Sequence, residues 1–147
     1  MPLKKVIYAS SRDAEHAFYD AIHRADIDAF MNVWAEDEEI LCILPGGPRI
    51  TGFGNIRETW RHILDGRQRF TMRLLHTMVM PGALFAVHNL QATVMLAGDN
   101  PELQGQIVPI LVTNIYIRGA LGWRLMVHHA SPTQGEGIIS EATATLH

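Results

Sequence analysis

Apolar residues recur at helical spacing in the first part of the chain and alternate with polar residues in the rest. From Ala14 to Ala25 they form one continuous face, which predicts an amphipathic helix that begins at Ser10. Asp26 can accept hydrogen bonds from the start of a second helix, which carries Phe30 and Trp34 on its apolar side. The sequence therefore predicts two consecutive helices at the N-terminal end.

A short strand, a turn and a third helix follow. Ile40 to Leu44 is apolar enough for a strand, and Pro45 to Pro48 must turn because proline lacks the amide donor of a strand ladder. The third helix is predicted by apolar residues that share one face: Ile56, Trp60, Ile63 and Leu64.

Long alternating segments separated by short turns make up most of the remaining chain. This pattern predicts an antiparallel meander of four strands: Phe70–Met80, Leu84–Leu96, Gln106–Arg118 and Trp123–Ala130. The third of these is apolar on both faces, so the sheet needs two covers. We expect the helices on one face and a second copy of the chain on the other. The fold class is α+β.

Composition and charge narrow the class of protein. The chain has 147 residues, 48% hydrophobic and 18% charged, which fits a single globular domain with a core at about 10–132 and a peripheral tail at 133–147. A net charge of −3 without a basic run disfavours binding to nucleic acid or a membrane surface. The single cysteine, the weakly apolar N-terminus and the lack of a membrane-spanning run lead us to expect a cytoplasmic protein.

Five segments together resemble a known superfamily: Ala25 to Asp28, Val33 to Asp37, Pro45 to Gly52, Ile56-Arg57 with Trp60, and Gly122 to Pro132. The resemblance is to the SnoaL-like, ketosteroid-isomerase-related branch of the nuclear-transport-factor-2-like superfamily, and it covers Ser10 to Pro132. It implies a cystatin-like cone, with three N-terminal helices on the concave face of a curved, mainly antiparallel sheet, a pocket between them, and a homodimer. Enzymes, binding modules and assembly domains share this scaffold.

The isomerases of this branch use a carboxylate base on the short strand and a tyrosine on the first helix. The resemblance places the base at Cys42 or Leu44, and neither is a carboxylate. It places the tyrosine at Phe18, while Tyr19 next to it points about 100° away. A lone Cys42 more often serves as a small core residue than as a nucleophile.

The remaining isomerase positions also differ from the family pattern. The late acid falls on Asn114, which can still donate a hydrogen bond, and two supporting tyrosines fall on Trp34 and Trp60. Most of the isomerase machinery is therefore absent.

The predicted strands carry no acidic residue between Phe70 and Gly98 or between Gln104 and Ala130. A general base contributed by the sheet must then be a histidine. The pocket should accept a neutral or anionic hydrophobic molecule better than a cationic one.

His128 and His129 are neighbours on one strand, so they point to opposite faces and cannot share a metal ion. The resemblance implies that Met126, His128 and Ala130 face the pocket, although both histidines also fit as core or interface residues. The sequence shows no metal-ligand pattern, and Gly52 to Gly54 lacks the rest of a dinucleotide motif. No cofactor is expected.

Two functions remain open. The first is small-molecule binding in a mostly apolar pocket, either without catalysis or with isomerase, cyclase or dehydratase chemistry, in which His128 is the general acid or base and Asn114 orients a carbonyl. The second is a non-catalytic binding or oligomerisation module that uses the outer sheet face. The predicted ligand-binding residues are Phe18, Trp34, Leu44, Trp60, Asn114, Met126 and His128.

Overall fold

The chain folds as three helices packed on a curved, open sheet of six strands. The computed structural model describes residues 6–66, 69–97, 102 and 105–133. The helices are α1 (Ser11–Arg24), α2 (Ile27–Val33) and α3 (Phe53–Asp65). The strands are β1 (Leu41–Ile43), β2 (Arg49–Thr51), β3 (Arg69–Met80), β4 (Phe85–Ala97), β5 (Ile107–Gly119) and β6 (Gly122–Pro132).

The strand order across the sheet is β2-β1-β6-β5-β4-β3. Only β1 and β6 run parallel, and every other neighbouring pair is antiparallel. The four long strands are those that the alternating pattern predicts, with ends that differ by one or two residues. The predicted α+β cone with a mainly antiparallel sheet is confirmed.

Side-chain caps fix where the first two helices begin, as the sequence predicts. The Ser10 hydroxyl accepts a hydrogen bond from the Asp13 amide at 3.0 Å, and the Asp26 carboxylate accepts one from the Ala29 amide at 3.0 Å. Between the two helices, Ala25 adopts the left-handed conformation that ends α1, with φ of 53°. The chain thus turns within two residues and brings α2 back against α1.

Strand register places three polar residues in one row across the inner face of the sheet. His88 on β4 lies opposite Asn114 on β5, and Asn114 lies opposite His128 on β6. All three are buried, whereas His129, the next residue along β6, is exposed. The opposite orientation of the two neighbouring histidines therefore agrees with the sequence prediction.

A β-bulge in β6 changes the phase of its alternation. Ile115 pairs with Val127 but Tyr116 pairs with Leu125, so Met126 is an extra residue. Leu125 is fully buried in the core, while Met126 is only half-buried. Strict alternation therefore fails across the bulge: Met126 packs half-buried against the core and is not among the described residues that line the cavity on the inner face.

Two predictions about segments of the chain can be compared with the structure only in part. Among the described residues, none of the helices combines the length and apolarity needed to cross a bilayer. Of the predicted tail at 133–147, only Thr133 lies within the described residues.

Candidate ligand-binding site

A cavity of about 220 Å³ lies between the helices and the inner face of the sheet. Its walls come from α1, α3, the segment after β1 and the four long strands. The lining residues are Ile22, Leu44, Pro45, Trp60, Ile63, Phe70, Met72, Val94, Ile110, His128 and Ala130. His128 is the only ionisable residue among them, so it sets the polarity of an otherwise hydrophobic site.

His128 is 3% exposed and is held by neighbours on two sides. Its Nδ1 lies 2.6 Å from Oδ1 of Asn114, and its ring packs against Phe18 with the centroids 5.0 Å apart. Burial, and to a lesser extent the nearby His129, lowers the pKa of His128 to about 3. The imidazole is therefore neutral near pH 7.

The side-chain amide of Asn114 is fully used by protein groups. Its Oδ1 faces His128, while its Nδ2 donates to the hydroxyl of Tyr19 at 3.1 Å and to Oε2 of Glu15 at 3.4 Å. Asn114 is completely buried and does not line the cavity. The expectation that Asn114 contacts a ligand and orients a carbonyl is corrected: it positions His128 instead.

Glu15 on α1 is the centre of this polar cluster, although it is only 5% exposed. Its Oε2 lies 3.0 Å from Nδ1 of His88 and 3.3 Å from the hydroxyl of Tyr116, in addition to the Asn114 amide. The other ring nitrogen of His88 lies 2.8 Å from the hydroxyl of Ser11. We call these residues the buried polar network: Ser11, Glu15, Tyr19, His88, Asn114, Tyr116 and His128.

Both tyrosines of the network keep their protons at neutral pH. Burial raises the pKa of Tyr19 above its ordinary value, and the charge of Glu15 adds to the effect. Burial also raises the pKa of Tyr116, again together with Glu15. Each hydroxyl therefore stays uncharged inside the core: that of Tyr116 donates to Glu15, and that of Tyr19 accepts from Asn114.

The sequence prediction missed most of this network. It correctly found no acidic residue on the strands near the site, but the carboxylate comes from a helix instead. Ser11, Glu15 and Tyr19 recur every four residues along α1, directly beside the apolar row that the pattern identified. That spacing is the signal that could have revealed a second buried row.

The other predicted site residues lie in different places. Leu44 and Trp60 line the cavity, as expected. Phe18 is buried behind His128, in contact with the ring of Phe30 at 4.9 Å between centroids. Trp34 is also buried, and it borders a separate cavity near the β5–β6 turn.

Cys42 is one of the two residues at which the resemblance places the isomerase base. It is completely buried, and its Sγ accepts a hydrogen bond from Nε1 of Trp60 at 3.4 Å. Burial raises the pKa of the Cys42 thiol to about 11, so it is not a nucleophilic thiolate near pH 7. It serves as a small core residue.

In the described part of the chain, no three His, Cys, Asp or Glu side chains come close enough together to hold a metal ion. The chemistry available at the site is that of hydrogen bonding, apolar contact and the imidazole of His128.

Comparison with known proteins identifies the family. The sequence model of the SnoaL-like domain matches residues 12–134, which is most of the chain. The chain belongs to the SnoaL-like domain family. The resemblance to the nuclear-transport-factor-2-like superfamily is thereby confirmed. No functionally curated protein matches the sequence of this SnoaL-like chain.

Solved structures extend the comparison. A proposed calcium/calmodulin-dependent protein kinase type II association domain from Thiobacillus denitrificans is 31% identical, with a TM-score of 0.72 over 87% of this chain and 98% of that one. A proposed dehydratase of the nuclear-transport-factor-2-like family from Streptomyces avermitilis is 24% identical, with a TM-score of 0.74 over 83% and 93%. A proposed aromatic ring hydroxylase from Novosphingobium aromaticivorans is 18% identical, with a TM-score of 0.71 over 85% and 87%. The last two share the SnoaL-like chain's fold.

Proposed function

We propose that this protein binds a small, neutral, hydrophobic molecule in the cavity, with Nε2 of His128 as the polar contact. The observation that supports the proposal is a buried histidine on the wall of an apolar cavity, which hydrogen-bonds to the described residues through its Nδ1 alone. Nε2 faces the cavity, so a ligand that supplies a hydrogen-bond partner there gains about 0.5–1.5 kcal/mol over an equally apolar ligand that does not.

The volume of the cavity limits the size of the ligand. A dry apolar cavity of about 150 Å³ holds benzene. The cavity here measures about 220 Å³. It therefore suits a monocyclic molecule with a small substituent.

Binding is better supported than catalysis by His128. General-base catalysis works best when the pKa of the base is close to the operating pH. The pKa of His128 is about 3, so its imidazole accepts a hydrogen bond but only weakly accepts a proton. Proteins named as a dehydratase and a hydroxylase share the fold, which makes enzymatic use of the scaffold the natural extension of this proposal.

Filling the cavity is expected to weaken the binding of a monocyclic probe such as 4-ethylphenol. In Ala130→Leu, the larger side chain projects from the cavity wall, and we expect the dissociation constant for 4-ethylphenol to rise at least about tenfold. Isothermal titration calorimetry on the full chain measures this change. Ala83→Leu adds the same atoms at an exposed turn and should bind like the unaltered protein.

Two results would contradict the proposal: no binding of 4-ethylphenol to the unaltered protein, or equal binding to Ala130→Leu. If the unaltered protein binds 4-ethylphenol and Ala130→Leu does not, native mass spectrometry of protein purified from its own host would identify the natural ligand.

A second candidate function is self-association through the outer face of the sheet. The outward side chains of β4 and β5 are uncharged, and several large apolar ones are exposed, including Phe85 at 50% and Leu111 at 36%. Exposed His129 lies on the same face, opposite Thr113. Two copies of the chain can stack on β4 and β5 without bringing together charged side chains of those two strands, and the 31% identical relative is named as an association domain.

A charge on this face is expected to weaken the dimer. Leu111→Glu should raise the dissociation constant for self-association about tenfold or more, because two carboxylates would be buried at the interface. Sedimentation velocity at several concentrations measures it. Leu121→Glu is the matched control, since Leu121 is 49% exposed at the turn between β5 and β6. A monomeric unaltered protein, or equal association of both variants, would reject this candidate.

A further inference from the structure

We infer that the cavity selects ligands that carry a hydrogen-bond donor, such as a small neutral phenol or alcohol, because the buried polar network fixes Nε2 of His128 as an acceptor. The inference rests on the proposed ligand-binding function and adds the chemical class of the ligand. It also departs from the expectation drawn from the strands, which allowed an anionic ligand.

The first step is the orientation of the Asn114 amide. A carboxylate offers only acceptors, so the amide edge facing Oε2 of Glu15 at 3.4 Å must be the NH₂ group. The same nitrogen lies 3.1 Å from the hydroxyl of Tyr19. The carbonyl oxygen of Asn114 is therefore directed at His128.

The second step is the tautomer of His128. Its Nδ1 lies 2.6 Å from Oδ1 of Asn114, and because that oxygen can only accept, Nδ1 must carry the proton. The ring holds a single proton near pH 7, since burial keeps its pKa low. Nε2 is consequently unprotonated, and its lone pair is available.

The third step is the lack of any competing polar group in the cavity. Within the described residues, no hydrogen bond reaches Nε2 of His128. The indole N–H of Trp60, which also lines the cavity, already donates to Cys42 at 3.4 Å. A ligand hydroxyl can thus pair with Nε2, whereas a carbonyl or carboxylate would place its lone pairs against another lone pair.

Three probes of nearly equal size separate these cases. 4-Ethylphenol offers a donor, acetophenone an acceptor only, and 4-ethyltoluene neither. We expect calorimetry on the full chain at pH 7 to give 4-ethylphenol a dissociation constant about tenfold lower than those of the other two.

Failure of this inference is distinguishable from failure of the proposed function. If the three probes bind equally, or if acetophenone binds more tightly, the cavity is a ligand site but the acceptor assignment is overturned. If none of them binds, the proposed function itself fails.

The role of Glu15 can be tested separately as that of a positioning residue. In Glu15→Gln the new amide can face Asn114 with either its oxygen or its nitrogen. The orientation of the Asn114 amide, and with it the tautomer of His128, is then no longer fixed. We expect the preference for 4-ethylphenol over acetophenone to shrink to about threefold or less. Glu58→Gln, at an exposed position on α3, should keep the full preference.

Nitrogen-15 NMR of the unaltered protein decides the tautomer even if Glu15→Gln does not fold. The expected spectrum shows the proton of His128 on Nδ1 and none on Nε2. A proton on Nε2 would overturn the inference, because the cavity would then present a donor.

Discussion

Glu15→Ala is expected to lower the free energy of unfolding by about 3 kcal/mol or more, although among the described residues Glu15 has no hydrogen bond to a residue of the cavity wall. The substitution removes the acceptor shared by His88, Asn114 and Tyr116. Each buried donor left without a partner costs about 1–3 kcal/mol, and the three lie in the same core. Urea denaturation followed by circular dichroism measures the change.

Asp20→Ala on the same helix is the matched control. Asp20 is exposed and pairs with Arg24 at 2.8 Å, an interaction of the surface type worth about 0–1 kcal/mol. Both variants gain helix propensity, and the gain for Asp20→Ala is larger by only a few tenths of a kcal/mol, so a difference of about 3 kcal/mol reports the buried contacts. A loss below about 1 kcal/mol for Glu15→Ala would show that the network does not stabilise the fold.

Acidification from about pH 7 to pH 3 is expected to lower the free energy of unfolding by about 4 kcal/mol through the protonation of His128 alone. Burial, with a smaller contribution from His129, holds the pKa of His128 at about 3 in the folded state, below the ordinary value of 6.5. Between these two values the unfolded chain binds a proton that the folded chain does not. The stabilisation is therefore complete above about pH 6.5 and is lost progressively as the pH falls towards 3.

Urea denaturation at a series of pH values measures this loss. His128→Gln cannot titrate, so its stability should fall less steeply between pH 6.5 and 3 than that of the unaltered protein. His129→Gln, at the exposed neighbouring position, should retain most of the slope. Identical slopes for His128→Gln and the unaltered protein would contradict the assignment.

The fold could be predicted because its signals are local. Helix starts depend on side chains such as Ser10 and Asp26, which bond to amides three residues away. The long strands can be predicted because each has more than ten residues, over which apolar and polar side chains tend to alternate. Such signals do not require knowledge of what packs against them.

The site could be predicted only in part because its decisive contacts are not local. Glu15 bonds to residues that lie 73, 99 and 101 positions further along the chain. In a single sequence, a polar residue on an amphipathic helix is assigned to the solvent side, which hides Ser11, Glu15 and Tyr19. Leu44, Trp60 and His128 could be predicted because the family resemblance assigns these positions to the pocket, and all three line the cavity.

Met126 shows a different limit of sequence reasoning. A bulge adds one residue to a strand without any change in composition, so the alternation of β6 looks continuous across it. The bulge becomes visible only when the residues of β6 are paired with those of β5, because the register between the two strands shifts there.

The buried polar network also distinguishes the native register of the strands from registers that are shifted by one residue. A strand that slips by one residue turns every side chain to the opposite face. If β5 slipped in this way, Asn114 and Tyr116 would leave Glu15, and Thr113 and Ile115 would take the inner face. A buried carboxylate without donors is far less stable than an apolar mismatch, so Glu15 selects one register among several that hydrophobic packing alone would tolerate.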